Sequence, residues 1–146
     1  FALPGGGAWR QVEDAAAEVI TVRPYQDGVV RMVASRSHSG VEVDRFRNSL
    51  REQSGREVET VSMGSALKVC LVAEGVADVY PRLGLTSEWD TGASHCILNE
   101  AGGCLMDCAG NELQYNKPSV LNPWFLAVGD TSYDWINVCP ELKDRQ

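Results

Sequence analysis

Three short polar segments could carry chemistry, because each follows a strand-like run and precedes a helical one. They are Ser35-Arg36-Ser37-His38-Ser39, Ser62-Met63-Gly64-Ser65-Ala66-Leu67-Lys68 and Glu88-Trp89-Asp90-Thr91-Gly92-Ala93. In α/β proteins, ligands gather at the ends of strands that lead into helices. These three segments are therefore the candidate positions for a ligand site.

Lys68 is the one cation of an apolar segment, residues 65–74, whose spacing predicts a buried helix. A lysine in the first turn opposes the helix dipole, which costs a few tenths of a kcal/mol up to about 1 kcal/mol. A bound anion would remove this cost, because backbone N–H groups and an ammonium together form a phosphate site. The alternative is a lysine whose head reaches water along its apolar stem.

The other two segments each allow two interpretations. The hydroxyls and histidine after residue 34 could hydrogen-bond an anion or a base, or Ser37 or Ser39 could simply cap the next helix. Asp90 could be an ordinary helix N-cap. It could instead bind a hard cation, since Mg²⁺ sites use one or two carboxylates together with phosphate oxygens.

Alternating strand and helix patterns predict an α/β fold, a layered sheet with flanking helices. Strands are predicted within 5–12 and at 18–22, 29–35, 59–63, 77–81, 104–107 and 125–128. Helices are predicted at 41–53, 65–74, 91–101 and 130–138.

Composition limits the classes of partner. The formal net charge of −7 argues against a nucleic-acid partner, but a small anionic ligand needs only a local positive pocket. No apolar run is long enough for an integral membrane segment. The N-terminal residues carry neither an initiator Met nor a signal-peptide pattern, as expected for a fragment, a processed product or part of a longer chain.

The cysteines form an odd set without a pairing pattern: Cys70, Cys96, Cys104, Cys108 and Cys139. Together with His95, the middle three could be imagined as zinc ligands, but their spacing fits no usual zinc motif. Reduced thiols in a cytoplasmic protein are the simpler interpretation.

The run Trp89-Asp90-Thr91-Gly92-Ala93, continuing to Glu100-Ala101-Gly102-Gly103, resembles the C-terminal signature of the inositol monophosphatase superfamily. Other segments resemble the bacterial 3'(2'),5'-bisphosphate nucleotidases of that superfamily, in order Ser35-Arg36-Ser37-His38, Gly64-Ser65-Ala66-Leu67-Lys68, Cys70-Leu71-Val72-Ala73-Glu74-Gly75, Tyr80-Pro81-Arg82 and Leu121-Asn122-Pro123. The resemblance implies the C-terminal subdomain of the αβαβα sugar-phosphatase fold. Residues 1–28 would end an N-terminal α+β subdomain, and 29–146 would form the C-terminal α/β subdomain.

The resemblance also implies roles for particular residues. Those expected to contact the nucleotide and its phosphate are Ser35, His38, Gly64, Ser65 and Lys68, while Asp90 binds Mg²⁺ as the catalytic metal ligand. Inositol monophosphatases are expected to carry a Glu near Arg82. An Arg suits a second phosphate or a nucleotide better, because its planar fork binds phosphate bidentately; a surface ion pair is the alternative.

One departure limits the resemblance. The family's Asp-Pro-x-Asp-Gly-Thr motif and an upstream Glu supply most metal ligands, and neither occurs in these residues. The chain therefore resembles the C-terminal half of an enzyme of roughly 250 residues, a size typical of two packed subdomains. Its partners would be a nucleotide bisphosphate and the missing N-terminal half of the same protein.

The implied activity is Mg²⁺-dependent removal of the 3'-phosphate of adenosine 3',5'-bisphosphate, giving AMP and phosphate, in sulfur assimilation or nucleotide recycling. The 2',5' isomer and the 3'-phosphorylated sulfate donor stay open as substrates. The alternatives are an inositol or sugar monophosphatase and a nucleotide-binding fragment without catalysis. The expected location is cytoplasmic, with peripheral attachment at the inner membrane as a variant of it.

Overall fold

A computed structural model describes residues 1–25, 28–35, 40–138 and 140–142 of the 146-residue chain. Within these residues the strands are β1 (Ala2–Leu3), β2 (Gly7–Arg10), β3 (Glu18–Ile20), β4 (Val30–Ala34), β5 (Val58–Ser62), β6 (Val79–Arg82), β7 (Cys104–Asp107) and β8 (Phe125–Val128). The α-helices are α1 (Val41–Ser54), α2 (Leu67–Ala73) and α3 (Glu88–Glu100), followed by 3₁₀ helices at Trp135–Val138 and Pro140–Leu142.

The strands form two sheets. A small antiparallel sheet has the order β1-β2-β3, and a five-stranded mixed sheet has the order β5-β4-β6-β8-β7. In the larger sheet β5, β4 and β6 run parallel, whereas β8 and β7 pair antiparallel. The carboxyl ends of the three parallel strands therefore meet at one edge, where the three polar segments of the sequence follow them.

The neighbours β4 and β6 diverge at this edge. Their pairing is confined to Met32 and Val79. Pro81 in β6 has no N–H to continue a ladder. The chain leaves β4 toward β5 on one side and leaves β6 toward β7 on the other, which is the arrangement that opens a ligand crevice in α/β sheets.

Two apolar clusters cover the two faces of the larger sheet. On one face, Phe46 and Leu50 of α1 are fully buried against strand residues such as Met32. On the other face, α2 and α3 pack between this sheet and the small one, where Leu98 and Ala8 share a cluster. The layer order is helix, sheet, helix, sheet, which confirms the predicted layered α/β class.

Three predicted boundaries are corrected by the structure. Helix α3 begins at Glu88 and not at residue 91, so Asp90 lies inside its first turn. Helix α2 begins at Leu67, which leaves Ser65 before it but keeps Lys68 in its first turn. The segment 130–138 forms only the 3₁₀ helix Trp135–Val138, and β1 has no counterpart among the predicted strands.

Gly103 allows the close packing that follows α3. A Cβ at this position would lie 2.5 Å from Cδ1 of Leu98 and 2.6 Å from the carbonyl oxygen of Val128. Only glycine permits this approach of the chain to β8 without rearrangement.

No helix among the described residues is long and apolar enough to cross a membrane.

Candidate substrate and metal site

A cleft of about 300 Å³ opens at the carboxyl edge of the larger sheet. It brings together Ser65, Lys68, Arg82 and Asp90 from the predicted set, and it is also lined by Tyr80, Thr86, Thr91 and Phe125. A larger hollow of about 740 Å³ lies beside the end of α1 and contains none of the predicted site residues. The smaller cleft is therefore the candidate site.

Lys68 is buried in the wall of the cleft, with 6% of the residue exposed. Its Nζ donates to the carbonyl oxygen of Ser65 at 2.8 Å and lies 5.4 Å from the centroid of the Tyr80 ring. Burial lowers the pKa of the Lys68 ammonium, and the nearby charge of Arg82 lowers it further. The interpretation of Lys68 as a lysine that extends into water is thus wrong.

Arg82 is the second cation of the cleft. Its Nη2 donates to the carbonyl oxygen of Leu85 at 2.9 Å, while its Nε is buried without a hydrogen-bond partner among the described residues. Within that part of the chain, neither Arg82 nor Lys68 forms an ion pair with a carboxylate. Two neighbouring positive charges without an acidic partner form a site that an anion would stabilise.

Ser65 has a left-handed backbone, with φ at 60°. This conformation is unfavourable for a residue with a side chain, by about 1–3 kcal/mol in strained cases. The same residue turns its carbonyl oxygen toward Lys68 Nζ. The turn between β5 and α2 thus holds the ammonium in the wall of the cleft.

Asp90 is exposed on the rim of the cleft and also caps α3. Its Oδ2 accepts a 2.8 Å hydrogen bond from the backbone N–H of Ser87, the residue that precedes the helix. The prediction of Asp90 as the N-cap itself is wrong, because Ser87 holds that position and Asp90 reaches back from the first turn. The capping role accounts for one carboxylate oxygen and leaves the other for a ligand.

The described residues do not form a complete metal site by themselves. None of them belongs to a group of three or more His, Cys, Asp or Glu side chains able to hold a metal ion. Cys70, Cys96 and Cys104 are free thiols, Cys108 Sγ donates to the carbonyl oxygen of Trp124 at 3.6 Å, and Cys139 lies outside the described part. Asp90 fits Mg²⁺ as one hard oxygen ligand, since such sites combine few carboxylates with water and phosphate oxygens.

Other predicted residues lie at the same edge or beyond the described part. Ser35 follows β4 directly and Gly64 follows β5, but neither is among the described residues that line the cleft. His38 lies outside the described residues. Their proposed contacts with a nucleotide stay predictions.

Asn122 is a buried residue that sequence reasoning did not assign to the site. Its Nδ2 donates to the carbonyl oxygen of Ser87 at 2.9 Å and approaches the hydroxyl oxygens of Thr86 and Thr91 at 3.3 and 3.2 Å. These contacts fix the chain on both sides of the start of α3. The signal in the sequence is the Leu121-Asn122-Pro123 segment, which resembles the bisphosphate nucleotidases. That resemblance predicts no role for Asn122.

A second overlooked group surrounds His95, which is 5% exposed. Its Nδ1 lies 2.8 Å from the hydroxyl of Tyr115, and that hydroxyl lies 3.3 Å from Oγ1 of Thr91. Burial lowers the pKa of His95, and the carboxylate of Glu112 opposes this shift. The segment that contains Tyr115 is held by Glu88, whose carboxylate accepts from Lys117 Nζ at 2.6 Å.

Known proteins with similar sequences include bacterial nucleotidases. The chain is 41% identical over 126 residues to the 3'(2'),5'-bisphosphate nucleotidase CysQ of Escherichia coli, matching 86% of this chain and 48% of that protein. It is 43% identical over 121 residues to CysQ of Salmonella typhimurium, matching 82% of this chain and 46% of that protein. The chain therefore spans about half the length of these curated relatives.

Solved structures agree with the layered fold. The crystal structure of CysQ from Bacteroides thetaiotaomicron aligns with a TM-score of 0.69 and 40% identity, covering 81% of this chain and 46% of that one. SuhB from Mycobacterium tuberculosis aligns with a TM-score of 0.63 over 99% of this chain and 54% of that one, but at 20% identity it supports the fold alone. Because the inositol monophosphatase family pattern matches residues 5–129, the chain belongs to the inositol monophosphatase family.

Proposed function

We propose that this chain is the C-terminal half of a Mg²⁺-dependent phosphatase that converts adenosine 3',5'-bisphosphate into AMP and phosphate. The observation that carries the proposal is the cleft in which Lys68 and Arg82 have no carboxylate partner among the described residues while Asp90 lies on the rim. Similarity to CysQ nucleotidases, near 41% identity, supports the nucleotide substrate. An arrangement of two cations and one carboxylate suits a phosphate ester bound beside a metal ion.

Lys68 and Arg82 would bind phosphate oxygens. Both side chains are held before a ligand arrives, Lys68 by the Ser65 carbonyl oxygen and Arg82 by the Leu85 carbonyl oxygen. Donors fixed in advance stabilise developing negative charge without reorganising during the reaction. The planar guanidinium of Arg82 can bind phosphate oxygens bidentately, which suits the second phosphate of a bisphosphate.

Asp90 would hold Mg²⁺ through the oxygen that is not occupied by Ser87. When bound, Mg²⁺ lowers the pKa of a coordinated water and stabilises the attacking and leaving oxygens. Asp90 is the one carboxylate among the described residues that line the cleft, and we infer that further protein ligands come from the N-terminal half. Ser87 orients the Asp90 carboxylate, and the start of α3 fixes its position at the rim.

Ser35, Gly64 and His38 complete the proposed nucleotide site. Ser35 and Gly64 follow β4 and β5 at the edge that carries the cleft. A ligand that extends from the cleft toward β4 would meet them, because parallel strands end on the same side. The role of His38 rests on the family resemblance, which implies contact with the nucleotide and not with the attacking water.

The missing N-terminal half is the proposed protein partner. The small sheet exposes apolar side chains, including Leu3 (64% exposed) and Val19 (69%), and Phe1 stacks on Trp9 with ring centroids 5.6 Å apart. Exposed apolar groups in one place are typical of surfaces that are covered in the complete protein. This supports residues 1–28 as the end of the N-terminal subdomain and 29–146 as the C-terminal one.

Two other functions stay as alternatives. An inositol or sugar monophosphatase would use the same fold, but Arg82 favours a substrate with an additional phosphate. A non-catalytic nucleotide-binding protein would have the Lys68 and Arg82 site without the metal ligands. Finding Asp-Pro-x-Asp-Gly-Thr in the upstream sequence of the full-length parent would support the enzyme, and its absence would support the binding protein.

The role in sulfur metabolism and the cytoplasmic location rest on similarity to the CysQ nucleotidases. Nothing in the described residues supports peripheral attachment at the inner membrane. Both the cytoplasmic location and the role in sulfur metabolism depend on the proposed nucleotide substrate.

The deciding experiment measures phosphate release by the full-length parent protein with Mg²⁺, from adenosine 3',5'-bisphosphate and from inositol 1-phosphate. We expect a clear preference for the nucleotide in kcat/KM. A preference for the inositol ester would contradict the nucleotide assignment and keep the phosphatase. No release from either ester, with retained binding of the nucleotide, would contradict catalysis.

A further inference from the structure

The turn between β1 and β2 binds the carboxylate of a residue far along the chain. The backbone N–H of Gly5 donates to Oε1 of Glu100 at 2.8 Å, and the backbone N–H of Gly7 donates to Oε2 at 2.8 Å. Both oxygens of one carboxylate are therefore bound by a single turn. Backbone N–H groups that converge in this way form a concave anion site, and here the anion belongs to the protein itself.

The three glycines of this turn are explained by its shape. Gly5 and Gly7 have left-handed backbones, with φ at 72° and 93°. Residues with a side chain rarely adopt these angles, whereas glycine adopts them readily. Gly6 lies between them, and its N–H donates to the carbonyl oxygen of Leu3 at 2.7 Å, which closes the turn. The run of glycines thus allows the backbone conformation in which two N–H groups meet Glu100.

Glu100 is the last residue of α3, a position that is unfavourable for a negative charge. The C-terminal end of a helix carries a partial negative charge, which repels a carboxylate. The hydrogen bonds from Gly5 and Gly7 offset this repulsion and lower the pKa of Glu100. The carboxylate therefore stays ionised at neutral pH, and its contact with the turn accounts for a glutamate at this position.

A second directional contact lies at the same end of α3. The N–H of Val22, in the chain that leaves β3, donates to the carbonyl oxygen of Ala101 at 2.9 Å. This bond fixes one side of the small sheet on the helix, and Glu100 fixes the other side at the β1–β2 turn. Two such points define the orientation of the small sheet, and one point alone would leave it free to rotate.

The remaining contacts of the small sheet fix its orientation less well. Ala8 of β2 and Leu98 of α3 belong to one apolar cluster, and apolar packing tolerates sliding because it has no preferred direction. Arg10 Nη1 lies 3.4 Å from Oε2 of Glu74, but exposed ion pairs of this kind contribute little. The orientation of the small sheet therefore depends on the hydrogen bonds to Glu100.

Helix α3 connects this contact to the cleft. Asp90 lies in the first turn of the helix and Glu100 lies at its end. The ten residues between them correspond to about 15 Å along the axis, at 1.5 Å per residue. Because α3 is one continuous helix, the orientation of the small sheet relative to Glu100 is also its orientation relative to Asp90.

We propose that Glu100 is a positioning residue that sets where residues 1–28, and with them the N-terminal half of the complete protein, lie relative to Asp90. The proposal rests on the proposed function, in which the N-terminal half supplies further ligands to the Mg²⁺ that Asp90 binds. Mg²⁺ demands near-ideal octahedral geometry, so a small rotation between the two halves would weaken its binding. No contact between Glu100 and the metal or the substrate is required.

The first test measures amide hydrogen exchange by NMR in ¹⁵N-labelled full-length parent protein, and it does not depend on activity. Glu100→Ala removes both acceptor oxygens, whereas Glu100→Gln is the milder variant that keeps one of them. Exchange at Gly5 and Gly7 should become about three- to tenfold faster in Glu100→Ala, the size of one hydrogen bond, and less so in Glu100→Gln. The matched control Glu74→Gln, which removes the ion pair with Arg10, should leave both amides unchanged. Unchanged exchange in Glu100→Ala would overturn the proposal.

The second test measures Mg²⁺ and inorganic phosphate binding to the same variants by titration calorimetry. We expect the Kd of Mg²⁺ to rise about three- to tenfold in Glu100→Ala. The Kd of phosphate, measured without Mg²⁺, should stay the same, since Lys68 and Arg82 both lie on the C-terminal side of the site.

Two results of the calorimetry would contradict the positioning role. An unchanged Kd of Mg²⁺ despite faster exchange would mean that Glu100 is purely structural. Equal weakening of Mg²⁺ and phosphate binding would indicate a general loss of structure. A wild-type protein that binds no Mg²⁺ would contradict the proposed function itself, and the exchange measurement would still decide whether Glu100 holds the turn.

Discussion

The backbone N–H of Ser87 donates a 2.8 Å hydrogen bond to Oδ2 of Asp90, so the carboxylate on the rim of the cleft also caps α3. One side chain thus combines a structural and a chemical role, and these roles respond differently to substitution. The cap needs only an acceptor oxygen. A Mg²⁺ ligand needs the negative charge as well.

Asp90→Asn and Asp90→Ala should therefore separate the two roles. Both variants should lower kcat of the full-length parent at least about a hundredfold, because the metal loses a charged ligand. Only the alanine variant should lower the free energy of unfolding, by about 0.5–2 kcal/mol, the usual effect of losing a cap. Turnover and urea denaturation of the same preparations provide both quantities. Asp90→Asn with wild-type turnover would exclude Asp90 from the metal site.

Lys68→Met should weaken phosphate binding by about tenfold to a hundredfold, the range expected for losing a charge-assisted hydrogen bond. It should not lower the free energy of unfolding, since it removes a buried charge that has no carboxylate partner among the described residues. Titration calorimetry with inorganic phosphate and thermal denaturation measure the two effects. Arg45→Gln, a charge loss on the exposed face of α1, is the control. Lost stability with unchanged binding would indicate that Lys68 is purely structural.

The lowered pKa of Lys68 fixes the sign of a pH effect on binding. In the free protein the ammonium loses its proton at a lower pH than an ordinary lysine, and a bound anion favours the charged form. Phosphate should therefore bind most tightly at pH values below the lowered pKa of Lys68. Its affinity should decrease as the pH rises through that pKa. Calorimetry above about pH 8, where phosphate remains dianionic, isolates this effect. The slope should vanish in Lys68→Met, and a slope that persists there would assign the titration to another group.

Arg82→Lys should test the role of the guanidinium fork. Lysine keeps the charge, but it cannot contact the Leu85 carbonyl oxygen and a phosphate with the same planar geometry. We expect kcat/KM for adenosine 3',5'-bisphosphate to decrease about tenfold or more. The value of kcat/KM for a monophosphate ester such as inositol 1-phosphate should change much less. An equal decrease for both esters would show that Arg82 does not read the second phosphate.

The meeting of the polar segments at one edge of the sheet could be predicted from the sequence, because it follows from the order and direction of the strands. Polar residues after β4, β5 and β6 share an edge whenever these strands are parallel. The burial of Lys68 was also indicated by its position in an apolar helix. The predicted start of α3 is wrong because Asp90 is a favourable N-cap residue by type, whereas Ser87 holds that position and Asp90 lies at the third helical position.

The contacts around Thr91 could not be predicted in the same way. Tyr115 lies 24 residues from Thr91, and Asn122 lies 31 residues away. No periodicity specifies which side chains of a loop without regular structure will meet a helix. Only the packed structure reveals that His95, counted with cysteines as an improbable zinc ligand, instead contacts Tyr115 at 2.8 Å.

The close packing of Gly103, which follows α3, gives a prediction about stability alone. Gly103→Ala should lower the free energy of unfolding by about 1–3 kcal/mol, because its Cβ would lie 2.6 Å from the Val128 carbonyl oxygen, which belongs to a central strand and cannot move easily. Gly92→Ala is the matched control. Its Cβ would lie 3.8 Å from Tyr115, an ordinary contact, and alanine should stabilise the interior of α3 by about 0.5–1 kcal/mol. Urea denaturation of both variants should give shifts of opposite sign, and a stable Gly103→Ala would mean that the approach of α3 to β8 is looser than described.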